Sequence, residues 1–144
     1  MGEYFTYYYP HVMALAFLAT LYFTDLPAKG EFFLRAMAAL TIATVLAHVN
    51  RWFGIWPDYP FFPSGHMTFC LGLALSLGML QRWTLVITLP LLIPFAKALN
   101  IYGFHTYLDI EGAIPLVLVV YGIVHWFWRI PFARPPLDMA ADSP

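Results

Sequence analysis

The chain has 144 residues, of which 61% are hydrophobic and only 10% are charged, and its mean hydropathy is +0.70. A soluble domain carries about 25% charged residues, so this composition excludes an ordinary water-facing surface and indicates a membrane protein. The net charge of −1 at pH 7 argues against nucleic acid as a partner.

Five apolar segments follow one another along the chain, at residues 8–25, 32–49, 66–82, 84–101 and 108–128. Each is close to the roughly 17–25 residues that a helix needs to cross a bilayer. The predicted fold is therefore all-α: an integral membrane bundle of about five transmembrane helices, formed by residues 1–130 as a single domain. Residues 131–144 are rich in proline and are expected to form a tail outside the bundle.

An odd number of crossings brings the N-terminus, the loop at 50–65 and the loop at 101–107 to one end of the bundle. Basic residues are more numerous at the other end, where Lys29, Arg35, Arg82, Arg129 and Arg134 stand against Arg51 and Lys97. By the positive-inside rule, we expect the C-terminus in the cytoplasm and the two loops on the extracytoplasmic side.

The sequence Pro63-Ser64-Gly65-His66 stands at the start of the third apolar segment. A serine before an apolar run is a good N-cap, and the first amide groups of a helix attract anions. Glycine lets an oxyanion approach the backbone, and a histidine there can protonate a leaving oxygen. A capped helix with an interfacial histidine would account for the same residues without any chemistry.

A second polar group, His105-Thr-Tyr-Leu-Asp109, stands at the start of the fifth segment. Residues four apart on a helix share a face, so the carboxylate can hold one ring nitrogen and leave the other as a nucleophile. An acidic residue in the first turn of a helix is also an ordinary structural feature.

Together, the two groups resemble the signature of the type 2 phosphatidic acid phosphatase superfamily, and the resemblance covers about residues 33–128. It implies a membrane phosphatase that hydrolyses a lipid phosphate monoester or diphosphate without a metal or another cofactor. The family bundle has six helices, one more than this chain. By this resemblance, His105 is the nucleophile that forms a phosphohistidine, Asp109 orients it, His66 is the general acid, and Ser64 and Gly65 contact the phosphate.

The arginines of the family signature are absent. Arg51 stands for the signature lysine, but Asp58 and Tyr59 stand where the family has Arg-Pro. Ala98 and Leu99 replace the Ser-Arg pair before the nucleophile, with Lys97 adjacent to them. Arg51 and Lys97 are therefore the candidate phosphate-binding cations.

Two other interpretations remain open at the level of sequence. Cations hold the equatorial oxygens during phosphoryl transfer, so a chain without the arginines could instead be a lipid-binding or accessory subunit of a membrane protein complex. Alternatively, a haem, another tetrapyrrole or a metal could be held by the histidines near the same end of the bundle, which are His11, His48, His66 and His105.

Overall fold

The computed structural model describes residues 2–53 and 62–129, and in this part of the chain the regular structure is entirely α-helical. The helices are α1 (Gly2–Phe23), α2 (Lys29–Phe53), α3 (Gly65–Leu80), α4 (Thr84–Ile101) and α5 (Tyr107–Arg129). Three stretches are long and apolar enough to cross a membrane, at Lys29–Val49, Thr84–Ile101 and Tyr107–Trp128, while α3 is apolar but shorter. The predicted all-α helical bundle is confirmed. The predicted tail at 131–144 lies outside the described residues.

The helices end close to the predicted boundaries, except for α2, which is longer at both ends than the predicted 32–49, and for the start of α1. Helix α1 begins well before residue 8, and of the aromatic residues in its first turns Tyr9 is buried whereas Tyr4, Tyr7 and Tyr8 are exposed. The ring of Tyr9 stacks on Phe95 of α4 at a centroid distance of 4.6 Å, and Phe5 lies 5.2 Å from Tyr9. The helices also continue through their internal prolines, at Pro10, Pro90, Pro94 and Pro115.

Helix α3 forms the centre of the bundle. It contacts each of the other four helices, which surround it in the order α1, α4, α5, α2. It is apolar on all faces, as expected of a helix that is enclosed by others. Its neighbour α2 presents a buried row of small residues: Ala36, Ala39, Ala43 and Ala47.

A buried polar contact joins α3 to α5 inside this apolar core. The Tyr121 hydroxyl donates a hydrogen bond to the Gly72 carbonyl at 2.7 Å and lies 3.0 Å from the Ser76 hydroxyl. Gly72 must remain small, because a Cβ there would lie 2.9 Å from the Tyr121 oxygen and 2.7 Å from Leu40. The contact fixes how α5 is placed along α3, since an unpaired polar group would be costly at this position.

Contacts between helix termini define the two ends of the bundle. At one end, which we call the histidine end, Phe104 lies 5.9 Å from Tyr7 and 6.4 Å from His66, measured between ring centroids. The starts of α1, α3 and α5 and the last turns of α2 and α4 all lie at this end. At the opposite end, the Trp128 indole donates to Glu31 at 2.9 Å.

Candidate functional site

The site lies at the histidine end, where the N-termini of α3 and α5 meet. The Ser64 amide donates a hydrogen bond to the backbone carbonyl of Asp109 at 2.8 Å, which joins the two helix starts directly. The Ser64 hydroxyl accepts from the Met67 amide at 3.2 Å, and Ser64 is fully buried. Ser64 is therefore the N-cap of α3, and its hydroxyl is engaged in that capping.

Asp109 holds the backbone around both helix starts. Its Oδ2 accepts from the Thr106 amide at 2.9 Å, and the Thr106 hydroxyl accepts from the Asp109 amide at 3.3 Å. This reciprocal pair is a capping box with aspartate in the acidic position. The other oxygen, Oδ1, accepts from the Phe62 amide at 3.1 Å, on the chain that leads into α3. Only 7% of Asp109 is exposed, so its carboxylate is a buried anion stabilised by two backbone amides.

His105 lies beside this carboxylate. The distance from His105 Nδ1 to Asp109 Oδ2 is 3.8 Å, which is too long for a hydrogen bond but short enough for electrostatic attraction. Because Asp109 is on the Nδ1 side of the ring, Nε2 is the nitrogen that points away from the carboxylate.

His66 completes the cluster, one residue after Gly65 at the start of α3. Its ring centroid is 6.0 Å from that of His105, with an angle of 62° between the ring planes. His66 is exposed and His105 is partly buried. The structure thus brings the three predicted catalytic residues together, with both imidazoles close enough to contact one phosphoryl group.

The two predicted cations have different positions. Lys97 is exposed on α4 and lines an apolar groove of about 520 Å³ between α3, α4 and α5. The groove also contains Met67 and Tyr107, which are adjacent in sequence to His66 and Thr106. Lys97 therefore lies in a groove that is lined by sequence neighbours of the site residues but not by His66, His105 or Asp109 themselves. The side chain of Arg51, in the last turn of α2, and the whole of Asp58 lie outside the described residues.

Gly65 lies directly under the ring of His48, which comes from the last turns of α2. A Cβ on Gly65 would lie 2.7 Å from His48 Nε2. The other ring nitrogen, Nδ1, lies 2.8 Å from the Thr44 carbonyl, to which it must donate. From its sequence position, His48 was a candidate only for tetrapyrrole or metal ligation, because its place beside Gly65 depends on how α2 packs against α3. The one feature of the sequence that indicated a place for His48 at the site was its position near the end of the second apolar segment.

The histidines do not converge in the way that a metal site requires. Within residues 2–53 and 62–129, no three side chains of His, Cys, Asp or Glu are grouped so that they could hold a metal ion. His11 is exposed on α1, and its Nδ1 lies 2.8 Å from the Tyr7 carbonyl.

Comparison of the chain with protein-family models, with curated proteins and with solved structures finds no match.

Proposed function

We propose that this chain is a multi-pass integral membrane hydrolase that acts on a lipid phosphate monoester or diphosphate. The observation that carries the proposal is the convergence of His66, His105 and Asp109 at the histidine end. Three apolar helices of spanning length support the membrane location. From the distribution of basic residues, the histidine end faces the extracytoplasmic side and the C-terminus lies in the cytoplasm.

In the first step, the lone pair of His105 Nε2 attacks the phosphorus atom, and the bond from phosphorus to the lipid oxygen breaks. That oxygen leaves with the bonding pair and takes a proton from His66, which gives a phosphohistidine together with the lipid alcohol from a monoester or the lipid monophosphate from a diphosphate. The Asp109 carboxylate, 3.8 Å from His105 Nδ1, stabilises the positive charge that develops on the ring.

In the second step, water attacks the phosphohistidine while neutral His66 accepts a proton from it. The phosphorus–nitrogen bond breaks, its electron pair returns to Nε2, and inorganic phosphate leaves. Both histidines are then in their starting protonation states, so the cycle needs no other reactant.

The groove between α3, α4 and α5 supports a lipid substrate over a water-soluble phosphate ester. Its walls are almost entirely aliphatic, with Leu71, Leu92 and Ile114 among them, and its lining includes Met67, the residue after His66. An acyl or prenyl chain in this groove would leave its phosphate at the histidine end. Lys97 at the groove would attract the headgroup.

The proposal is tested by phosphate release from purified protein in detergent, with a phosphatidate and a prenyl diphosphate as substrates. His105→Ala is expected to lower the rate at least about 1,000-fold, because the nucleophile is removed. His11→Ala is the matched control: it removes an exposed histidine of α1 and should leave the rate unchanged. Turnover that persists in His105→Ala would show that the nucleophile is assigned wrongly.

One observation favours the accessory-subunit interpretation. Both oxygens of Asp109 accept hydrogen bonds from backbone amides, which is a sufficient structural reason for this carboxylate. That interpretation predicts no phosphate release from folded protein with either lipid, and a membrane protein that co-purifies with the chain.

A further inference from the structure

A second cleft lies between α1, α2 and α3, and His66 is among the residues that line it. It has a volume of about 220 Å³ and is lined by Pro10, Thr44, His48, Gly65, His66 and Phe69. Water occupies about 30 Å³ per molecule in the liquid, so the cleft has room for a tetrahedral oxyanion. Among its lining residues, the titratable side chains are His48 and His66.

The ring of His48 is held in one orientation. Its Nδ1 donates to the Thr44 carbonyl at 2.8 Å, and its face stacks on Trp52 with 5.4 Å between centroids and 26° between planes. Because a carbonyl can only accept, the proton on Nδ1 is fixed. The Cε1–Nε2 edge of the ring faces Gly65 at the first turn of α3, with Cε1 the nearer atom, and Nε2 becomes a donor when the ring is protonated.

The first turn of α3 favours an anion at this place. The amides of Gly65 and His66 are the first of the helix, where no intrahelical acceptor exists, and the helix dipole is positive here. The next amide, that of Met67, is taken by the Ser64 hydroxyl. A protonated His48 would therefore add its charge and an N–H group beside amides that already attract negative charge.

We propose that His48 is an anion-binding residue of the site, whose protonated Nε2 donates to a non-bridging oxygen of a phosphoryl group held in the cleft beside His66. The choice of a phosphoryl group rests on the proposed function. His48 supplies at this position a cation that the family arginines do not supply here. It holds the substrate, while His105 and His66 carry the bond-making steps.

The test measures binding, so it is independent of turnover. The probe is sulfate, a tetrahedral dianion whose charge is constant between pH 6 and pH 8, whereas an imidazole changes its charge in this range. Sulfate is titrated into the full chain in detergent by calorimetry at both pH values. Wild-type protein should bind it more tightly at pH 6.

Two substitutions separate the two ring nitrogens of His48. His48→Asn can keep the contact to the Thr44 carbonyl but removes the group at Nε2, and His48→Gln keeps a neutral amide near Nε2. Each should lower the sulfate affinity at pH 6 by about tenfold and reduce its dependence on pH, because a charge-assisted hydrogen bond is lost. His11→Gln is the control and should bind like wild type. If one of the two His48 variants does not fold, the sulfate affinity of the other variant tests the proposal.

Wild-type affinity and pH dependence in a folded His48 variant would overturn the proposal. The same titrations are repeated with two further ligands, inorganic phosphate and a short-chain phosphatidate in micelles. If the His48 substitutions weaken the binding of both ligands, and wild type binds the phosphatidate more tightly than phosphate, the proposal is supported and a lipid headgroup is the natural ligand. If the substitutions weaken the binding of both ligands and wild type binds the two equally well, the proposal is supported and free phosphate is the natural ligand. If the substitutions weaken the binding of neither ligand, the proposal is overturned. If binding depends on His48 but no phosphate is released from any substrate, the anion site stands and the proposed hydrolysis fails.

Discussion

Gly65 links the packing of α2 against α3 to the geometry of the site, because the ring of His48 occupies the space where a side chain at position 65 would lie. In Gly65→Ala, the new Cβ would be 2.7 Å from His48 Nε2, closer than these atoms can approach. The ring must then move and lose its hydrogen bond to Thr44. We expect a loss of about 1–3 kcal/mol of stability, the usual cost of overpacking, together with weaker sulfate binding.

Gly112→Ala provides a matched control for this substitution, measured by thermal unfolding in the same detergent. A Cβ on Gly112 would meet its nearest neighbour, Pro63, at 3.9 Å, which is an ordinary contact. Alanine is the better helix former, so this variant should be as stable as wild type or more so. Equal stability of the two variants would contradict the close packing of His48 on Gly65.

His105 and Asp109 show which features of the site could be predicted from residue spacing and which could not. Their spacing of four predicted a shared helix face, but α5 begins at Tyr107, so His105 precedes the helix and lies 3.8 Å from Asp109, beyond hydrogen-bond distance. The second task of Asp109 could not be predicted, because its partner, the Phe62 amide, is 47 residues away in sequence. Only the packing of α3 against α5 brings these groups together, so this hydrogen bond could not be predicted from the spacing of residues in the sequence.

At the scale of helices, the junction of α3 and α5 depends on Asp109 more than on any other described side chain of the site. Asp109→Ala leaves the amides of Phe62 and Thr106 without their acceptor, which should cost about 3–6 kcal/mol of stability, since hydrogen bonds to charged groups contribute about 1.5–3 kcal/mol each. Thr106→Ala removes only the cap on the Asp109 amide and should cost about 1 kcal/mol. Thermal unfolding of both variants measures the difference.

This prediction affects how activity data are interpreted. A loss of turnover in Asp109→Ala could follow from a displaced helix start alone. Asp109→Asn keeps an acceptor for one amide while it removes the charge beside His105. If Asp109→Ala is no less stable than Thr106→Ala, the carboxylate does not hold the junction in the way that the hydrogen bonds indicate.

Sequence length and hydropathy were sufficient for most helix boundaries. Helix α4 spans Thr84–Ile101 as predicted, and α3 and α5 each begin one residue before their predicted segments. The start of α1 was misplaced because its tyrosines were not counted as helical. Tyr9 is buried against Phe95, and this partner lies on a helix far along the chain. Which aromatic residues enter the core is decided by packing partners rather than by composition.

For the molecule as a whole, the histidine end combines two sources of attraction for an anion. The starts of α1, α3 and α5 lie at this end together with the last turns of α2 and α4, so three positive dipole ends are present against two negative ones. The imidazoles of His48, His66 and His105 add titratable charge at the same place. Arg35 is instead at the opposite end, paired with Glu31 at 2.8 Å and over the ring of Trp128.

The proposed function requires the two ends of the bundle to lie on opposite sides of the membrane, and this arrangement can be measured by cysteine labelling. The single cysteine, Cys70, is fully buried, so Cys70→Ala provides a background without a reactive thiol. On that background, Tyr102→Cys marks the histidine end and Trp83→Cys the opposite end, since both residues are exposed.

In sealed right-side-out vesicles, a membrane-impermeant maleimide should label Tyr102→Cys at once and Trp83→Cys only after the membrane is permeabilised. This expectation follows from the proposed orientation, in which the excess of basic residues at the Trp83 end keeps that end in the cytoplasm. The reverse pattern would contradict the orientation but keep the spanning bundle. Labelling of both positions from one side would contradict the spanning bundle itself, and a lipid phosphate of the outer leaflet could then not reach the histidines in the proposed way.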